Sequence, residues 1–158
     1  MDYRQPSQQL TFKCIPFDQL DSVTLYEMLA LRLAVFSVEQ NCPYQDLDGK
    51  DISAWHLLGY QDGKLVAVAR LLMPDVSYSG ACSVGRVCCH IDYRDQKVGQ
   101  RLMAEAVKQC RTLFSGFPIT ISAQHYLVRF YQQFGFQTVG STYLEDDILH
   151  IEMTHQAA

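Results

Sequence analysis

Residues 94–113, Arg-Asp-Gln-Lys-Val-Gly-Gln-Arg-Leu-Met-Ala-Glu-Ala-Val-Lys-Gln-Cys-Arg-Thr-Leu, read as a loop running into an amphipathic helix. Val98, Leu102, Ala106 and Cys110 recur every four residues, while Gln100, Arg101, Glu105, Lys108 and Gln109 occupy the other face. Upstream, 83–91 is a short apolar run of strand length with no helical period, so the order is strand, loop, helix. A helix that begins at such a loop presents amides without intrahelical partners and the positive end of its dipole, which suits a phosphate or pyrophosphate. Gly99 lets backbone approach an anion with no Cβ in the way, and Arg94 and Lys97 add positive charge. An ordinary solvated helix start has the same signature, so the assignment depends on what the rest of the chain carries.

The 158 residues, 48% hydrophobic and 19% charged, fit one globular domain, expected over 10–154 with flexible ends at 1–9 and 155–158. A net charge of −4 argues against nucleic acid or an anionic membrane as partner and accommodates a cationic substrate more easily. No apolar run reaches membrane-span length and the first residues carry no apolar leader, so a cytoplasmic protein is expected. Cysteines at 14, 42, 82, 88, 89 and 110 show no paired spacing, which points to reduced core thiols and no disulfide framework.

In chain order, 10–15 predicts a strand. Thr24 and Glu27 have capping-box spacing ahead of a helix with Leu25, Met28, Leu29, Arg32, Val35 and Phe36 on its apolar face. From Phe36 to Asp51 a polar, acidic loop is expected, punctuated by Pro43 and Gly49. Asp46, Asp48 and Asp51 lack the spacing and closing glutamate of an EF-hand, so calcium is disfavoured; Glu39, Asp46 and Asp48 are candidates for holding a cationic substrate. Asp62-Gly63 predicts a hairpin between strands at 55–60 and 64–73. After the central helix come a strand at 119–122, a helix at 125–134 closed by Gly135, and two strands within 137–153. On the last of these, alternation groups Leu149, Ile151 and Met153 against Ile148, His150 and Glu152.

Two separated segments carry a resemblance. Residues 89–102 resemble the acetyl-coenzyme A signature of the GCN5-related N-acetyltransferases, with Arg94 and Gly99 matching and Lys97 standing where the pattern has its first glycine. Residues 123–136 are similar to that family's late strand-to-helix unit, with Tyr131 matching its tyrosine and Gln124 replacing its asparagine. With 35–46 and 145–153, the resemblance extends to the ElaA-like branch of the superfamily and covers nearly the whole chain. It implies a twisted mixed α+β sheet flanked by helices and opened near its central strand.

The resemblance also implies direct acetyl transfer from acetyl-coenzyme A to a primary amine of a small molecule or to an exposed amino group. In that reading the cofactor is held by the backbone of Val87, Cys88 and Cys89, by the loop of Arg94, Asp95, Gln96, Lys97, Val98, Gly99 and Gln100, and by Gln124 and Tyr131. Tyr131 is the expected general acid toward the departing thiolate. The base is open among Glu39, His56, His90, His150 and a water relay. A homodimer is compatible with the reading. A non-catalytic acyl-coenzyme A sensor of the same fold is the alternative. A Cys88–His90 nucleophile lacks a third orienting group, and zinc lacks its usual ligand spacings.

Overall fold

Leu57 and Leu58, and Val66 to Leu72 without a break, are buried. Neighbours along a strand point to opposite faces, so such runs need a cover on both sides. The computed structural model describes residues 9–157 and shows both covers. Strands β1 (Leu10–Pro16), β2 (Trp55–Gln61), β3 (Lys64–Leu72) and β4 (Ser83–Cys89) form an antiparallel sheet in that order. Helix α1 (Ser22–Leu33) lies on one face, where Met28, Leu31 and Val35 meet Leu58, Leu65, Val68 and Cys88. Helix α2 (Val98–Leu113) lies on the other, burying Val98, Leu102, Met103, Ala106 and Cys110 among Leu57, Val66, Ala69 and Leu71.

A second antiparallel sheet holds β5 (Ile119–Gln124), β6 (Gln137–Glu145) and β7 (Ile148–His155) in the order β5-β7-β6. Ile119, Ile121, Ala123, Ile151 and Met153 extend the core under α2. The sheets meet at one parallel bridge, Cys82 to Ile119, where the Cys82 amide donates to the Pro118 carbonyl at 3.0 Å and the Thr120 amide to that of Cys82 at 2.9 Å. Past this point β4 and β5 share no ladder, so the mixed α+β fold opens beside β4. A bulge sits at the opening: pairing jumps from Val68–Cys88 to Arg70–Gly85, with Arg86 at φ +50°. Bulges bend a strand and sharpen its twist, which directs β4 away from a flat continuation.

Several local expectations need correction. Asp21, and not Thr24, caps α1, accepting from the Thr24 amide at 2.7 Å. The helix continues through Ala34–Glu39 in wider π-type turns, because no proline or glycine interrupts it before Pro43. The helix expected at 125–134 is a 3-10 turn, His125–Leu127, followed by the short α3 (Val128–Gln132). Gly135 adopts φ +95°, and a Cβ there would meet the His155 ring at 2.9 Å, so both backbone and space demand glycine. Strand β7 takes in His155, which the sequence reading left outside the domain. Leu149 is exposed despite its alternation with Ile151 and Met153, because it lies at the overhanging end of the β6–β7 hairpin. The expected loose end at 1–9 falls, except for Gln9, outside the described residues.

Candidate active site

The free side of β4 leads into the loop quoted at the outset. The His90 amide donates to the Val66 carbonyl at 2.7 Å, a 3-10 segment spans Ile91–Gln96, and Lys97 takes a left-handed φ of +59° before α2 begins. That backbone explains why the resembling pattern carries glycine where this chain carries Lys97. No side chain caps α2, so its first amides have no side-chain partner. A Cβ on Gly99 would touch only Cys89 Sγ, at an ordinary 3.6 Å, so internal packing alone does not demand glycine there.

Arg94 is committed elsewhere. Its guanidinium makes a two-pronged pair with Glu39 at 2.6 and 2.7 Å, and its Nε and Nη2 donate to the Cys89 carbonyl at 3.2 and 3.0 Å. It braces the loop against the end of β4 and the π-type turns. Gln96 accepts from Gln61 at 2.8 Å, and Val98 is in the core. Asp95 and Gln100 are exposed. The backbone amides of Lys97, Val98 and Gly99 thus lie at a helix start that no side chain caps, with the exposed Lys97 side chain beside them.

Tyr131 lies edge-on to Phe130 and Phe136, with ring centroids 5.2 and 6.1 Å apart. Burial, and secondarily Tyr126, push its phenol up to about 12, so it remains a protonated donor through the neutral range. Burial likewise raises the Cys88 thiol and pushes that of Cys89 up to about 11, leaving neither as a ready nucleophile. Val87 and Cys89 pack toward the α2 side and Cys88 toward the α1 side. Gln124 ends β5.

The base candidates do not gather. Glu39 pairs with Arg94. His56 is buried, with Nε2 2.9 Å from the Asp51 carbonyl, and burial lowers its pKa. His90 caps the 3-10 segment, its Nδ1 accepting from the Asp92 amide at 3.2 Å, and its ring borders a groove of about 550 Å³ beside α1. His150 stands on β7 directly across from Gln124 of β5, so of the four it alone neighbours a residue at the opening by strand register.

The acidic loop is not a cation site. Arg32 is buried between Asp46 at 2.9 Å and Asp51 at 2.7 Å, while Arg70 grips Asp48 at 2.8 and 3.0 Å and reaches Asp51 at 3.2 Å. Arg86 lies 2.8 Å from Asp46, which also accepts from Tyr44 at 2.7 Å. Three guanidiniums match three carboxylates, and the network pins residues 44–51 over the α1 face. Spacing along the sequence could not reveal this, because the arginines come from α1, β3 and β4. Among the described residues no group of three or more His, Cys, Asp or Glu is placed to hold a metal ion. No helix there is long and apolar enough to cross a membrane.

The sequence reading missed Ser122, Tyr143 and Glu145. Tyr143 pairs with His150 across β6 and β7, its ring lying over the imidazole at 22° and 6.1 Å. Ser122 Oγ is hydrogen-bonded to the Tyr143 hydroxyl and lies 3.1 Å from Glu145 Oε2. The sequence signals were polar residues at alternate positions of three strands, which is also how any solvated sheet face reads, and, for Glu145, its place in the resembling segment 145–153.

The sequence model of the acetyltransferase (GNAT) domain matches residues 30–157. Protein ElaA of Escherichia coli is 43% identical over 140 residues, spanning 87% of this chain and 91% of its own. Its crystal structure superposes with a TM-score of 0.87 over 94% of this chain and 100% of that one. An acyl-CoA N-acyltransferase from Pseudomonas aeruginosa, 40% identical, superposes with a TM-score of 0.88 over 93% of this chain and 99% of that one. The opened sheet, the uncapped α2 and the full-length similarity together place this chain in the GNAT acetyltransferase family, as an ElaA-like member.

Proposed function

We propose that the protein transfers an acetyl group directly from acetyl-coenzyme A to a primary amine of a small molecule or to an exposed amino group. The observation that carries the reading is the opening beside β4, flanked at one end by the uncapped start of α2. A fit to the coenzyme rests on the chain's own groups. The β4 edge from Val87 to Cys89 has no strand partner on the β5 side, and the amides of Val98 and Gly99 are free to meet a pyrophosphate. When bound, the thioester supplies an activated acetyl carbonyl and a thiolate leaving group.

Tyr131 is the general acid of this reading. Its phenol, held near 12, is always protonated when an amine is free to attack, and it donates toward sulfur as the carbon–sulfur bond breaks. Arg94 acts at one remove, fixing the loop through Glu39 and the Cys89 carbonyl. The domain is read as 10–155, soluble in the cytoplasm.

Calorimetric titration with acetyl-coenzyme A, run beside thiol release with a panel of amines, tests the proposal. Binding with acceptor-dependent release is expected; no binding would overturn it. Tyr131→Phe is expected to slow release roughly 100-fold with the coenzyme affinity little changed. Equal turnover in Tyr131→Phe would remove the phenol from the mechanism.

A further inference from the structure

The face of the second sheet that turns away from α2 carries Ser122, Gln124, Tyr143, Glu145, His150 and Glu152, since paired residues of antiparallel strands share a face. Tyr143 and Glu145 reach from β6 over β7 to Ser122 on β5, and so cover His150, which is 8% exposed. Tyr78, from the loop before β4, stands close enough to feel Tyr143, Glu152 and Glu145, and burial with those neighbours pushes its phenol up to about 12.

Hydrogen-bond direction makes this face unusual. The Ile148 carbonyl, 2.7 Å from His150 Nδ1, only accepts, so Nδ1 carries a hydrogen and the neutral ring presents a lone pair at Nε2. That lone pair faces Glu145 Oε2 at 3.4 Å, and a carboxylate is also only an acceptor. Ser122 Oγ donates to Glu145 and so accepts from the Tyr143 hydroxyl, so both hydroxyls are spent and the chain of donors ends on Glu145. With the ring neutral, two acceptors face each other with no donor between them; a protonated ring would itself donate to Glu145. The Glu145 side chain is 53% exposed and that of His150 10%, so the gap meets solvent on the Glu145 side.

We infer that this gap is the acceptor subsite, and that it takes a primary ammonium whose N–H groups bridge Glu145 and His150. The inference rests on the acyl-transfer reading and deepens it. An ammonium nitrogen at the apex would sit about 2.8 Å from both acceptors, the length of a charge-assisted hydrogen bond. His150 lies across from Gln124 on the strand that lines the opening, with Cβ atoms of such pairs about 5 Å apart, which puts the subsite one strand from the opening where the acyl-transfer reading has the thioester. An ammonium has no lone pair and must lose one proton before it attacks. His150 Nε2 takes that proton, and Glu145 stabilises the resulting imidazolium. The amine nitrogen then bonds to the acetyl carbon. As the carbon–sulfur bond breaks, the second nitrogen-bound proton replaces the one that Tyr131 gives to the thiolate. The proton on His150 passes to solvent, so one amide, one thiol and one proton leave.

The test uses butylammonium, with butyltrimethylammonium as a cation that has no N–H. Nitrogen-15 NMR of the His150 ring in the full chain reads binding without the coenzyme. Butylammonium is expected to shift the Nε2 resonance, butyltrimethylammonium not to, and Glu145→Gln to weaken butylammonium at least tenfold. His150→Asn retains a donor for the Ile148 carbonyl but has no Nε2; thiol release with butylamine is expected to fall about 100-fold. Thermal melts of both variants establish that they fold. Equal shifts from both cations, undiminished binding in Glu145→Gln, or full turnover in His150→Asn would overturn the subsite. Loss of acetyl-coenzyme A binding by the wild type would instead overturn the acyl-transfer reading, since the amine titration does not use the coenzyme.

Discussion

Two polar clusters of this molecule differ in their arithmetic. Under the loop at 44–51, Arg32, Arg70 and Arg86 meet Asp46, Asp48 and Asp51, with Arg32 and Asp46 almost wholly buried. On the outer face of the second sheet, Glu145 and His150 confront each other as acceptors and the donors are already used. A cluster whose charges cancel and whose lone pairs are met has nothing left to offer a ligand. Its residues hold the fold, because separating any partner strands a buried charge. A cluster with surplus acceptors at a solvent-facing surface does the opposite: it stabilises little and waits for a donor.

Acid should act on the first cluster most of all. Burial alone would raise the Asp48 and Asp51 carboxyls, but Arg70 with the Lys50 amide, and Arg32 with Arg70, outweigh it and hold both below the usual range. A lowered folded value means that, below about pH 4, the unfolded chain binds protons which the folded chain refuses. Stability is therefore complete above that pH and is lost as pH falls through the depressed folded values. A melting temperature that stays level from pH 5 down to pH 3 would contradict the ion network as a structural element.

Breaking one partner comes next. Arg32→Met leaves buried Asp46 with Arg86 alone and buried Asp51 with Arg70 alone, one counter-charge short between them, and is expected to cost about 3–5 kcal/mol, read by urea denaturation. A loss below about 1 kcal/mol would mean that the loop finds another way to neutralise itself. Asp48, more exposed, should matter less: Asp48→Asn keeps the shape and loses the paired charge, for an expected cost of about 1–2 kcal/mol in the same assay. On the other cluster, Glu145→Gln should change unfolding free energy by no more than about 0.5 kcal/mol, since its carboxylate is held only at its edge. If Glu145→Gln proved as costly as Arg32→Met, the distinction between the two clusters would collapse.

How far the sequence reached depends on the range of the interaction. The hairpin at Asp62-Gly63, the α2 stripe and the glycine cap at Gly135 are set by residues a few places apart, and all are present. The partners of Arg94 and Asp46 lie 14 to 55 residues away, and the sequence did not disclose them: Arg94 braces Glu39, and Asp46 answers Arg32 and Arg86. Lys97 shows the boundary. Its departure from the glycine of the resembling pattern is plain in the sequence, but only the backbone shows that a left-handed turn is kept there at the expense of strain.

By itself, then, the sequence determined the order of strands and helices, the strand–loop–helix unit with its exposed amides, and the kinship carried by 89–102 and 123–136, because all three are written in local pattern. Tertiary structure decided which polar groups cancel one another and which are left wanting. That is a matter of distance and direction between atoms from α1, β3, β4 and the second sheet. A carboxylate in a string of residues does not disclose whether it faces a guanidinium at 2.7 Å or an imidazole lone pair at 3.4 Å.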